Sequence, residues 1–191
     1  MSDPSNNSDV ARVRPSRILD LSKEIAYNRN DPFFMRVKIK HHAHRRSKWL
    51  VRALGLPFRL FPKAFAGWAD DTITRMGVHA TTHIDAPWHY GPTDDGGHRL
   101  GTIDEMPLAL CFGPGVVFDM THKLDGESIT VADMEQSIER SGATLAPGCI
   151  ALIRTGRDRF QGSKQYWKVG TGMGGAATEW LIDQGVRVMG I

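Results

Sequence analysis

"GPGVVFDM", residues 113–120, decides how the rest of the chain is read. A glycine–proline turn leads into Val116, Val117 and Phe118, a short apolar run of the kind that forms a buried strand. Downstream, "TVADMEQSIERSG" (130–142) predicts a helix, with Thr130 as N-cap, Asp133 three positions on, and Gly142 as the stop. Its apolar positions, Val131, Met134 and Ile138, recur three and four apart. "GCIALIRTG" (148–156) repeats the buried-strand pattern, "AATEWLIDQG" (176–185) predicts a second helix ending at Gly185, and "VRVMGI" (186–191) reads as a third strand. Strand, helix, strand, helix, strand is the signature of an α/β layer arrangement.

Upstream the pattern is less regular. "YGPTDDGGHRLGTID" (90–104) is dense in Gly, Pro and Asp and predicts a long loop, a length that hints at function. "HRRSKWLVRAL" (44–54) predicts a short helix that Gly55 and Pro57 end. Trp49, Leu50, Ala53 and Leu54 share one face and Arg45, Arg46, Lys48 and Arg52 lie largely elsewhere, which suits a packed surface helix rather than a membrane helix. In "SRILDLSKEI" (16–25), Ile18, Leu19 and Leu21 predict a short strand. Residues 1–16 are polar and lack the apolar stretch of a secretory signal, so they read as a disordered lead-in.

The totals narrow the class. A chain of 191 residues, 41% hydrophobic and 24% charged, suits one globular domain, here residues 17–191. There is no long uncharged apolar run for a transmembrane helix. Two cysteines, Cys111 and Cys149, make no short-spaced pair and no disulfide framework, which points to the cytoplasm. The net charge of +3 hides an asymmetry: residues 35–69 carry nine Lys or Arg and no acid, leaving 15 basic against 21 acidic residues elsewhere. The block lacks the aromatic interleaving of a single-strand binder, and no nucleic-acid motif accompanies it. It reads as a basic arm or lid that contacts another subunit or covers a site, or as a solvated surface arm.

The chemistry concentrates in "HATTHIDAPWH" (79–89). His79, His83, Asp85 and His89 share one parity, and His83 and Asp85, about 7 Å apart on a strand, are close enough to share a metal. Residues 79 and 83 on one strand lie about 13 Å apart, too far for a common ion. A helix joins them but swings 85 away. A bend at "ATT" (80–82) followed by an extended "HID" satisfies all three, and Pro87 then redirects His89. Two imidazoles and a carboxylate suit Zn²⁺, Mn²⁺ or Fe²⁺ and leave positions open for water, whose pKa the ion lowers. His89, just beyond, is placed to move a proton. The other reading of the four side chains is a hydrogen-bonded polar cluster.

"HATTHIDAPWH" resembles the His-x-Gly-Thr-His-x-Asp-x-Pro-x-His signature of the cyclase / kynurenine formamidase-like family of metal-dependent hydrolases. "GTIDEMPL" (101–108), "GPGVVFDM" (113–120), "LAPGCIALIRTG" (145–156) and "GMGGAATEWLIDQGVRVMGI" (172–191) resemble further family blocks in order. The "GTGMG" stretch at 170–174 is similar to the branch that carries Gly-x-Gly-Met-Gly. The resemblance implies a swivelling β/β/α fold and hydrolysis of an amide or lactam C–N bond, with kynurenine formamidase and isatin hydrolase as known types. It implies His79, His83 and Asp85 as metal ligands and His89 as catalytic acid/base, with one or two Zn or Mn ions, Asp85 bridging where there are two. It implies a homo-dimer or homo-tetramer in which an N-terminal segment helps close a neighbour's site, a role open to the basic arm. Trp49 or Trp68 on that arm, each of which reads first as a core or interface residue, and His98 in the long loop are candidates to line a substrate pocket.

Two departures stand out. Position 81 is Thr where the pattern has Gly, which the bend tolerates only if φ stays negative. The chain also stops at Ile191, before the family's Asp-x-x-Ser-type stretch and the late His and Glu or Gln that complete the metal site. The expectation is a C-terminally truncated member whose second metal site is incomplete. The functional expectation is a metal-dependent hydrolase of a small formyl-amide or cyclic metabolite, with no nucleic-acid or membrane partner. The alternatives are a cyclase or dehydratase on a carbonyl-rich metabolite, or a truncated, non-catalytic metal-binding protein. Of the remaining polar residues, "HHAH" at 41–44 reads as a surface cluster, His122 as structural, and Asp104 and Asp119 as caps. Arg154 is placed either to orient a substrate carboxylate or to pair with an internal acid.

Overall fold

The computed structural model describes residues 18–191; the lead-in expected at 1–16 lies outside them. The second half follows the alternation of its sequence. Strands β3 (Gly115–Asp119), β5 (Ile150–Arg154) and β7 (Val188–Gly190) form a parallel sheet in the order β3-β5-β7. The crossovers carry helices α2 (Val131–Ser141) and α3 (Gly175–Asp183). Two short strands, β4 (Ser128–Ile129) and β6 (Gly172–Met173), pair in parallel beside it. The first half holds β1 (Lys38–His42), α1 (His44–Ala53) and β2 (Asp70–Arg75), with β1 and β2 paired antiparallel. The whole is a mixed α/β architecture with parallel and antiparallel sheets. Among the described residues no helix is long and apolar enough to cross a membrane.

Each end of α2 is fixed by its own sequence. Thr130 Oγ1 accepts from the Asp133 amide at 3.2 Å, and the Asp133 carboxylate accepts from the Thr130 amide at 2.8 Å, so two otherwise orphaned donors are satisfied reciprocally. Gly142 closes the helix in the left-handed conformation, φ 65°, where any side chain would be strained. The hydrogen bonds from Thr130, seconded by Lys123 at 3.0 Å, hold the Asp133 carboxyl well below its ordinary value of 3.8. A depressed carboxyl contributes stability that is fully present above its unfolded pKa and is lost as pH falls through the folded one. Thr130→Ala should therefore lower unfolding free energy by about 1 kcal/mol at neutral pH. The gap to wild type should narrow as urea titrations are carried below pH 4, and a gap that is flat down to pH 2 would count against the capping account.

The core lies against one face of the parallel sheet. Phe118, Met120, Ile129, Met134, Ala151 and Leu181 are buried, with α2 and α3 covering them. Gly174 shows how tightly β4 and β6 meet: a Cβ there would sit 2.8 Å from the Ile129 carbonyl, so the "GTGMG" stretch needs glycine at that position. The same register corrects the expectation of fully buried strands. Val116 and Phe118 face the helices, whereas Val117 between them is 52% exposed, because the described residues cover only one face of the sheet.

Two further expectations are corrected upstream. Residues 18–28 form no strand, and Ile18, Leu19 and Leu21 are exposed. The segment instead meets the bend at 80–82, where the Lys23 amide donates to Thr82 Oγ1 at 2.7 Å. Helix α1 forms as expected but is not packed as expected. It buries no residue, and Trp49, Leu50 and Leu54 are 57%, 59% and 76% exposed. Only Ser47, Lys48 and Val51 turn inward, Ser47 Oγ bridging to the Trp68 backbone and Lys48 Nζ donating to the Phe65 carbonyl at 3.0 Å. The basic arm thus leaves and re-enters through a two-stranded ribbon, a pairing the sequence did not announce.

Candidate metal centre

The stretch 79–89 is neither strand nor helix. It bends at residues 80–82, runs extended over 83–86, and closes in a single helical turn at Pro87–His89. No non-glycine residue among those described has positive φ, so Thr81 makes the bend without glycine's freedom. Ala80 and Ala86 are buried on either side and anchor the ribbon. The Trp88 amide donates to the Gly101 carbonyl at 3.1 Å and ties the turn to the long loop. In that loop Thr102 and Glu105 form a second reciprocal cap. The Thr102 amide, and after it Arg99, holds the Glu105 carboxyl below its usual range.

The bend brings three donor atoms together. His79 Nδ1 lies 2.8 Å from His83 Nε2 and 3.2 Å from Asp85 Oδ1, and His83 Nε2 lies 3.4 Å from the same oxygen. Ligands about 2.1 Å from a metal are about 3.4 Å apart in a tetrahedral shell and about 3.0 Å apart in an octahedral one. The observed edges span both. His89 joins from the turn: one donor atom each from His79, Asp85 and His89 falls within 4.8 Å, and the His79 and His89 ring centroids lie 4.5 Å apart, the planes tilted by 50°.

The hydrogen bonds around the cluster bear on which ring nitrogens face inward. His83 Nδ1 lies 2.6 Å from the Thr81 carbonyl, which can only accept, so Nδ1 carries a hydrogen, and in the neutral ring Nε2 presents its lone pair inward. Asp85 offers another acceptor. His79 Nδ1 faces both His83 Nε2 and Asp85 Oδ1. The donor set of two imidazoles and one carboxylate fits a divalent ion. The side chains of His79, His83 and Asp85 are 26–31% exposed, dry enough to strengthen such a site and open enough to admit a ligand.

Other candidates sit elsewhere. Trp68 packs within the arm on Phe65, ring centroids 4.6 Å apart, and on Phe61. His98 pairs with Asp94 at 3.1 Å inside its loop. Neither makes a hydrogen bond or ring contact with the cluster. Arg154 takes the internal-acid alternative, pairing with Asp119 at 3.2 Å across neighbouring strands. The Thr121 hydroxyl and amide, with Arg154 adding less, hold the Asp119 carboxyl below its ordinary value. Asp104 accepts from the Thr102 hydroxyl, His122 lies 3.7 Å from Asp133, and His41 pairs with Asp71 across the ribbon, all structural roles. A shallow hollow beside α2, lined by Val117, Asp119, His122 and Arg140, shares no residue with the cluster.

The sequence reading missed one part of the site. Lys23 not only binds Thr82 through its amide but places its ammonium 3.4 Å from the Ala80 carbonyl, over the rings of Tyr166 and Trp167 at 5.4 and 5.6 Å. Trp167 in turn donates to the buried Asp31. One lysine thus fastens the bend to a loop more than eighty residues away. No local pattern in the sequence could reveal a link of that span.

The fold has counterparts among solved structures. Compared by sequence with curated proteins, the chain matches none. Among solved structures it is similar to a crystal structure described as a novel cyclase, at 22% identity and TM-score 0.59, over 85% of this chain and 62% of that one. It is also similar to an isatin hydrolase bound to the product analogue thioisatinate, at 18% identity and TM-score 0.53, over 78% of this chain and 53% of the other. The chain therefore spans between half and two thirds of the length of these structures. The Cyclase family model matches residues 19–191, bend, loop and parallel sheet together, and on that match the chain belongs to the cyclase family.

Proposed function

We propose that this chain carries the metal centre of a hydrolase that cleaves an amide or lactam C–N bond in a small formyl-amide or cyclic metabolite. The single observation behind the reading is the convergence of His79 Nδ1, His83 Nε2 and Asp85 Oδ1 within 3.4 Å of one another, with His83 Nδ1 turned to the Thr81 carbonyl. In this reading the fold is the swivelling β/β/α type of kynurenine formamidase-like proteins. The partners are a small-molecule substrate and further copies of the chain, as a homo-dimer or homo-tetramer, in a cytoplasmic setting.

A divalent ion at the centre, Zn or Mn, supplies Lewis acidity: it polarises a carbonyl and lowers the pKa of water. The chain's own residues do the rest. The Thr81 carbonyl orients His83, and the bend fixes His79 and Asp85 at the spacing described above. His89, on the adjoining turn, takes a proton from the attacking water and returns it to the departing nitrogen. His98 and Trp68 are candidates to contact substrate once the surrounding surface is closed.

The test is metal analysis after purification, followed by turnover of isatin and N-formylkynurenine with added Zn²⁺ or Mn²⁺. About one equivalent of metal and a ring-opened or deformylated product are expected. Metal without turnover across amides, lactams and lactones would point to a non-catalytic metal-binding protein. A dehydrated or cyclised product would point to a cyclase.

A further inference from the structure

The bend between the ligands is held from outside itself. Residues 80–82 belong to no strand or helix. The Thr81 carbonyl aims the His83 ring. Its two neighbours both meet Lys23: the Ala80 carbonyl accepts from the ammonium at 3.4 Å, and Thr82 Oγ1 accepts from the amide at 2.7 Å. The carbonyl that sets the His83 ring therefore lies between two points fixed by a single residue. Substitution at Lys23 removes the ammonium contact and leaves the amide contact in place.

Lys23 is itself clamped. Its ammonium lies 5.4 Å from the centre of the Tyr166 ring and 5.6 Å from that of Trp167, inside the reach of about 6 Å over which a cation is drawn to an aromatic face. Half-buried and with no ion pair among the described residues, it is committed to these rings and the Ala80 carbonyl. The indole is fixed in turn. Its Nε1 donates at 3.2 Å to Asp31, a residue 4% exposed whose carboxylate also accepts from Asn28 at 2.9 Å. The single helical turn Lys164–Trp167 that bears both rings is fastened by Arg157, which donates to the Gln165 carbonyl at 2.6 Å and the Tyr166 carbonyl at 3.2 Å and pairs with Asp125. Arg157 lies just beyond β5, so an unbroken line of contacts runs from the parallel sheet to the bend.

We propose that Lys23 is a positioning residue of the metal centre: through Ala80 it holds the bend in the conformation that gathers His79, His83 and Asp85 before an ion arrives. The role rests on the reading of that cluster as a metal centre. An ion that meets a bend already ordered does not have to order it, and its affinity is higher by that factor.

The test is the zinc affinity of the full chain, measured by competition with a chromophoric chelator. Lys23→Met keeps the aliphatic stem and removes the charge. Affinity should fall about tenfold, the lower end of what loss of an outer partner costs a metal site. Lys23→Arg, which keeps a donor and a cation for the aromatic faces, should recover most of it. Trp167→Leu should weaken binding by a similar factor, and the double variant little more than either, because both changes open the same clasp. Urea unfolding of the metal-free proteins runs alongside: a lysine that only supports the fold would lower stability and leave zinc affinity alone. Should Lys23→Met fail to fold, Lys23→Gln, also uncharged, is read in its place. Unchanged affinity in a folded Lys23 variant, a loss that Lys23→Arg does not restore, or additive losses in the double variant would each overturn the proposal. A wild-type chain that holds no zinc would instead remove the metal centre itself, and this role with it.

Discussion

Replacing His83 with alanine should abolish stoichiometric metal binding while leaving the chain folded. His83 supplies Nε2, one of three donors at the centre, and its ring is aimed by the Thr81 carbonyl rather than by core packing. Its side chain is 31% exposed, so truncation leaves no sealed cavity and little loss of stability. Loss of an outer partner of a metal-binding histidine already weakens affinity about 10–100-fold. Loss of the ligand itself should exceed that, leaving His79 and Asp85 to hold an ion alone. Metal content after dialysis and competition with a chromophoric chelator measure it. Unchanged stoichiometry in a folded His83→Ala protein would remove the centre from the argument.

Alanine at His89 should give the opposite split. The proposed role is proton transfer, so the metal stays and the rate falls by about 10²–10⁴-fold, the usual worth of a positioned general acid/base. That corresponds to about 2.7–5.4 kcal/mol of transition-state stabilisation. The prediction is sharp because His89 is also close enough to ligate, its donor atom falling within 4.8 Å of those of His79 and Asp85. Metal analysis and turnover must be read together. Metal retained with activity lost assigns the proton role, metal lost along with activity assigns a fourth ligand, and an unaltered rate removes His89 from the mechanism.

The sequence disclosed most where the interaction was local. Thr130, Asp133 and Gly142 announce α2 because caps act over three residues, and the parity of 79, 83, 85 and 89 forces a bend because distances along a chain are fixed by covalent geometry. The tautomer of His83 was hidden, since it depends on a backbone carbonyl two residues away whose direction only the folded bend sets. Lys23, the β1–β2 ribbon and the β4–β6 pair were hidden for a different reason. Each joins residues at least twenty-eight positions apart, and nothing in either partner names the other. Ile18, Leu19 and Leu21 were misread because apolar composition predicts a strand whether or not an edge is free to receive it. The outward face of α1 was misread because periodicity locates a stripe but cannot say what lies over it.

The burial of this chain is lopsided. From Val116 onward a continuous apolar interior holds the parallel sheet, while residues 18–112 bury only Asp31, Val37, Ala80 and Ala86. Cooperative resistance to opening therefore resides in one half and the chemistry in the other. The segment that bears the histidines buries far less than the sheet, so the proposed ion, if bound there, would act as a fastener, drawing the looser half into register in proportion to how tightly it is gripped. Ion supply would thus tune the rigidity of the reactive region as well as its occupancy.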